Sequence, residues 1–159
     1  MKNYTFYLTV FLSLFISISV YSQSGKIVRI KDGDTVVLLD SDNNQITLRL
    51  AEVDCPESSQ DFGKKAKEFT SNQVALKIVT YKIVDTDQYG RSIAKVYYDN
   101  KYLSAEIIKN GFGWHYKKYS KSIELSNLER SAKANKIGLW SSNKNKAPWE
   151  YRKEMRNKY

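Results

Sequence analysis

Cysteine and histidine are almost missing from this chain of 159 residues: each occurs once, as Cys55 and His115. A single cysteine excludes an intramolecular disulfide, so an exported domain of this kind depends on its apolar core. A thiol nucleophile needs a base beside it. The one histidine lies sixty residues away in sequence, so cysteine–histidine chemistry is set aside. Cys55 reads as a small filler between Asp54 and Pro56. A lone histidine also lacks the partners of a catalytic triad or a zinc site, and His115 reads as a surface or groove residue. Internal repeats and low-complexity segments are absent, and past residue 22 no apolar run approaches the ~20 residues that cross a bilayer.

What is present is a leader and one domain. Phe6–Val20 is an apolar run of 15 residues behind Lys2, and Val20-Tyr21-Ser22 places a small residue before Gln23. That pattern predicts a secretory signal peptide over Met1–Ser22, cleaved after Ser22, with an uncleaved anchor as the alternative, and it implies a secreted or periplasmic protein with no stable membrane association once the leader is removed. With 42% hydrophobic and 27% charged residues, the rest has a globular composition. The net charge of +9 is unevenly spread: residues 1–100 hold twelve Lys/Arg and twelve Asp/Glu, and residues 101–159 hold fourteen against five. A basic surface beside an acidic pocket suits a polyanion held by its backbone.

Apolar patterning predicts strands over 26–31, 35–39, 45–53, 77–84 and 92–98. In the third, Ile46, Leu48 and Leu50 point one way and Thr47, Arg49 and Ala51 the other, so Arg49 faces a groove or cavity rather than the main apolar row. Helical spacing predicts helices over about 60–76, capped by Ser58, Ser59 or Asp61, over 103–110, closed by Gly111, and over 122–136. Residues 141–159 form a basic tail with Trp149, Tyr151 and Tyr159 interleaved. Five strands with a helix after the third fit an OB-type Greek-key barrel, and a mixed open α+β sheet fits as well.

Three clusters fall at strand ends: Asp32-Gly33-Asp34-Thr35, then Arg49 with Asp54-Cys55-Pro56-Glu57, then Asp87-Gln88-Tyr89-Gly90-Arg91. Each alone is ordinary turn chemistry. Jointly they offer carboxylates for a hard cation, arginine forks for phosphate, and in Glu57 a carboxylate set back from the others, placed to act as a general base. Trp114, Tyr116 and Tyr119 are candidates for base stacking or for packing.

These motifs, with Gly138-Leu139-Trp140, resemble the staphylococcal nuclease (thermonuclease) family from about Lys26 to Trp140. The resemblance implies an α+β fold, a five-stranded OB-type Greek-key barrel with three helices over residues 23–140. It also implies a monomer that uses Ca²⁺ to hydrolyse DNA and RNA and leaves 3′-phosphates. By position, Asp34, Asp54 and the backbone carbonyl of Cys55 resemble the Ca²⁺ ligands. Arg49 and Arg91 resemble the phosphate arginines, Glu57 the base, and Tyr89 and Tyr116 the substrate tyrosines. Two departures stand out: Cys55 replaces the usual threonine, and the stretch from Glu57 to the following helix is short. The competing reading is an inactive OB-type module that only binds single strands. Such a binder gains nothing from acids clustered beside its phosphate arginines.

Overall fold

Alternating side chains in the first half of the chain sort into a closed barrel. The computed structural model describes residues 22–142 and 145–158, and apart from Ser22 the expected leader lies outside the described residues. Five strands make the barrel: β1 (Gln23–Asp32), β2 (Thr35–Leu39), β3 (Gln45–Leu50), β5 (Ile78–Thr86) and β6 (Ser92–Tyr98). Antiparallel pairings join β3 to β2, β2 to β1, β1 to β5 and β5 to β6, and a parallel pairing of β3 with β6 closes the ring. Full closure leaves these strands without a free edge along the seam. The two-residue β7 (Lys101–Tyr102) extends β6 antiparallel. The OB-type expectation holds and the open-sheet alternative does not.

The barrel is filled by Ile27, Val36, Leu38, Leu48, Leu50, Val79, Tyr81, Ala94 and Val96. Helix α1 (Gly63–Val74) adds Ala66 and Val74 to this core, and α2 (Leu103–Lys109) adds Leu103, Ile107 and Ile108. Helix α3 (Ile123–Ala134) starts on Ser122, whose hydroxyl accepts from the Leu125 N–H at 3.2 Å. A single turn of 3₁₀ helix at Gly138–Ser141 buries Leu139, while Trp140 lies edge-on to Trp114, with Lys133 over its ring.

Three expectations are corrected. The third strand ends at Leu50, not Val53, because Glu52 adopts a left-handed φ of 67°. Val53–Asp54 then forms a separate β4, paired antiparallel with β8 (Trp114–His115). Helix α1 uses none of the expected caps: Phe62 is its N-cap, with φ of 67° and no side-chain bond. The tail holds a fourth helix, α4 (Pro148–Asn157), with the proline in the first turn, where its missing N–H costs nothing.

The short connection from Glu57 to α1 is wound tightly. The N–H of Gln60 donates to Glu57 O at 2.8 Å, and the N–H of Gly63 to Gln60 O at 3.0 Å. A Cβ at position 63 would lie 2.0 Å from Glu57 O and 2.8 Å from its carbonyl carbon. The obstacle is backbone, not a mobile side chain, so Gly63 lets the helix start pack on the residue that faces the groove. Gly63→Ala is expected to cost about 1–3 kcal/mol, as overpacking does, and to displace Glu57. Urea unfolding at unchanged m-value checks it: a midpoint equal to the parent's would show that the loop yields freely.

Candidate active site

Strand register sets the centre of the groove. Thr35 pairs with Arg49 across β2 and β3, and the Leu50 N–H donates to Asp34 O at 2.8 Å, so Asp34, the turn residue just before β2, sits beside Arg49. The β4–β8 bridge fixes Asp54, which is buried at the groove floor. Arg49 spans the two acids: Nη1 lies 2.5 Å from Asp34 Oδ2 and Nη2 2.7 Å from Asp54 Oδ1. Asp34 Oδ2 also accepts the Cys55 N–H at 2.7 Å, and Asp34 Oδ1 the Thr35 hydroxyl at 3.3 Å.

The tail supplies a residue that no local pattern indicated. Arg152, on α4, reaches Asp54 Oδ2 through Nη2 at 2.8 Å. Its Nη1 contacts Asp54 Oδ1 at 3.2 Å and Glu57 Oε1 at 2.7 Å. The two carboxylates raise the Arg152 pKa despite partial burial, so it stays charged. Pro148 with Glu150 in the first turn and Arg156 in the last is a readable helix signal. The partner of Arg152, ninety-eight residues away, is not readable.

All eight residues expected at the site line one open groove of about 1270 Å³. Asp34, Arg49, Asp54 and Glu57 join Arg152 in one ion-pair network, and Cys55 sits beneath it. Arg91 and Tyr89 occupy the wall formed by the β5–β6 loop. There Arg91 Nε bonds Asp87 Oδ2 at 2.7 Å and its guanidinium stands 5.6 Å from the Tyr89 ring centre, with Tyr89 itself 74% exposed. Elsewhere along the groove Tyr116 stacks on Trp149, rings 2° from parallel with centroids 5.6 Å apart, and meets Tyr119 edge-on. Trp114, in contrast, packs with Leu139 and Ala147.

Of the two placements expected for His115, the groove holds and the surface does not: it is among the groove-lining residues. It is buried, with Nδ1 3.0 Å from Ser126 Oγ and its backbone N–H donating to Glu129 Oε1 at 3.2 Å. Burial pushes its pKa down, against the pull of Glu129. The Cys55 thiol is buried and pushed well up by that burial, which agrees with a filler and not a nucleophile.

Burial also dominates Asp34. Loss of solvent, with Asp32 and Asp54 close by, outweighs Arg49 and lifts its pKa from 3.8 to about 7. Two buried carboxylates only partly offset by arginine, next to the Cys55 backbone, are a hard-oxygen set that a divalent cation fits. Among the described residues no group of three or more His, Cys, Asp or Glu side chains forms a metal cage, so water or substrate oxygens would have to complete such a shell.

The comparisons with known proteins agree with this geometry. The model of the staphylococcal nuclease homologue family matches residues 47–142. The chain belongs to that family. An uncharacterized endonuclease of Haemophilus influenzae is 37% identical over 157 residues, covering 97% of this chain and 88% of the relative. Another from Escherichia coli O157:H7 is 34% identical over 129 residues, covering 80% and 84%. A probable staphylococcal-like nuclease of Oryza sativa subsp. japonica is 36% identical over 110 residues, 69% of this chain, but the match spans only 33% of the plant protein.

The raised Asp34 pKa sets a pH dependence of folding. The folded chain keeps that proton up to about pH 7, whereas the unfolded chain releases it near 3.8. The proton-linked stability is therefore full below the lower value and is lost as pH rises through the upper one. In a chelating buffer, the Asp34 contribution should fall between about pH 4 and about pH 7, and Asp34→Asn should remove it. Urea titrations of both proteins across that range check this, and identical pH slopes would exclude Asp34 as the source.

Proposed function

We propose that this protein is an exported nuclease that hydrolyses phosphodiesters of DNA and RNA with Ca²⁺ as cofactor. The observation that carries the reading is the Arg49 bridge between Asp34 and Asp54, with Glu57 one guanidinium away and Arg91 across the groove. A module that only bound nucleic acid would bury these acids at a cost and gain nothing from them, because buried charge is expensive to desolvate. The family relatives named as endonucleases support the same conclusion, and the Met1–Ser22 leader supports export.

In this reading Asp34, Asp54 and the carbonyl of Cys55 hold the cation. When bound, Ca²⁺ supplies Lewis-acid polarisation of a phosphoryl oxygen. Glu57 accepts the proton of the water whose oxygen attacks phosphorus. The P–O5′ bond breaks, the 5′ oxygen takes a proton from solvent, and the phosphate stays on the 3′ side. Arg49 and Arg91 donate to the non-bridging oxygens, where negative charge grows most in the transition state. Tyr89 and the Tyr116–Trp149 stack offer flat faces to the nucleotides on either side, and stacking tolerates any base. The basic surface from residues 101–159 holds the strand by its phosphates.

Digestion of single-stranded DNA with Ca²⁺ and with excess chelator tests this. Cleavage should require Ca²⁺ and leave 3′-phosphate ends, and Glu57→Gln should bind DNA as the parent does while losing about 10²–10⁴ in rate, the range for a general acid–base group. Tight binding with no cleavage in any divalent metal would establish the inactive binding module instead.

A further inference from the structure

We propose that Arg152 is a positioning residue of the active site: its guanidinium fork ties the Glu57 carboxylate to the Asp54 carboxylate, so the C-terminal helix completes the catalytic centre. The inference rests on the nuclease reading and adds to it a residue from outside the matched region, which ends at residue 142.

The geometry is that of a fork used twice. Both terminal nitrogens of Arg152 engage Asp54, and the one nearer Glu57 also bonds it at 2.7 Å. Among the described residues no other side chain hydrogen-bonds the Glu57 carboxylate. That side chain is 39% exposed. Without Arg152 it would be free to rotate, and a glutamate loses rotamer entropy each time it is ordered. A base must sit within hydrogen-bond reach of the water it deprotonates. Lysine could not substitute, because a point charge on a flexible stem cannot hold two carboxylates in one plane.

A second set of contacts fixes the backbones. The N–H of Glu57 donates to Gln60 Oε1 at 2.9 Å, and Gln60 Nε2 donates to Lys146 O at 3.2 Å. Ser59 Oγ lies 2.9 Å from Tyr151 Oη. The short loop bearing Glu57 is thus braced by the segment bearing Arg152. Trp149 stacks on Tyr116, and Ala147 and Pro148 are buried. This anchoring separates the proposal from an inhibitory latch, which needs a helix that leaves easily, whereas this one is docked through buried residues. A phosphate-binding role is separated by the assay, where it would raise KM at full kcat.

The test is steady-state cleavage of a single-stranded DNA oligonucleotide in Ca²⁺ by the parent protein, Arg152→Ala and Arg152→Lys, with thermal midpoints measured in parallel. Both variants should lose about 10–100-fold in kcat, the usual effect of removing a group that orients a metal-site residue, with KM little changed. Millimolar guanidinium ion should restore part of the Arg152→Ala rate. On a Glu57→Gln background, Arg152→Ala should cost little more, because both changes disable one group. Should Arg152→Ala fail to fold, Arg152→Lys keeps the stem and the charge and carries the same expectation. An unchanged kcat, a raised KM at full kcat, or faster cleavage by the variants would each overturn the proposal while leaving the nuclease reading intact. A parent protein that does not cleave would overturn both.

Discussion

Asp54 is a buried carboxylate, and two guanidinium groups from opposite ends of the chain converge on it. The architecture of the groove follows from that burial. An isolated ion in such a place is not tolerated, and removing one partner of a buried pair typically costs about 3–5 kcal/mol. Arg49 alone already shares itself with Asp34. Arg152 adds a second fork, and the energetic need of one acid thereby recruits the tail helix, the Glu57 loop and the β4–β8 bridge into a single unit.

Stability does not explain why such a cluster is kept. Well-packed apolar residues in place of a buried ion network are often neutral or stabilising, and the raised Asp34 pKa shows that burial outweighs the nearby arginine there. Folding carries an electrostatic burden in this groove. Under the proposed function a cation would offset Asp34 and Asp54 while Arg49 and Arg91 would turn to the phosphate oxygens, so the cost to the free protein would be recovered in the bound state, the condition for a site tuned to charge that develops during reaction.

Elements with a local cause were legible in the sequence. The period-two alternation of Ile46, Leu48 and Leu50 against Thr47 and Arg49 announced both a strand and the groove-facing arginine, and Ser122 announced the start of α3. The three acidic and arginine clusters sit where the barrel presents them. What was not legible depends on partners distant in sequence. Glu52 breaks the third strand because Tyr102, Ser120 and Lys95 hold its carboxylate from other elements. A two-residue strand such as β4 has no periodicity to read, and its partner lies some sixty residues away. The burial of His115 in the groove was not legible because nothing near it in sequence shows that α3 covers it. Arg152 was hidden in a basic tail whose lysines and arginines look alike until folding selects one.

The uneven charge of the chain becomes local chemistry by the same route. The acids at the groove centre, Asp34, Asp54 and Glu57, come from the first hundred residues, which are neutral overall, whereas Lys117, Lys118, Lys133, Arg152 and Arg156 line the groove from the basic remainder. Neither part makes the groove by itself. The barrel positions the acids, and only docking of the last helix places Arg152 against them across ninety-eight and ninety-five residues of intervening chain. Contacts of such separation are reached after the local ones, because loop-closure entropy must be met first. Glu57 is braced only where the last helix is docked, so the arrangement of the groove is a property of the whole fold and not of the barrel alone.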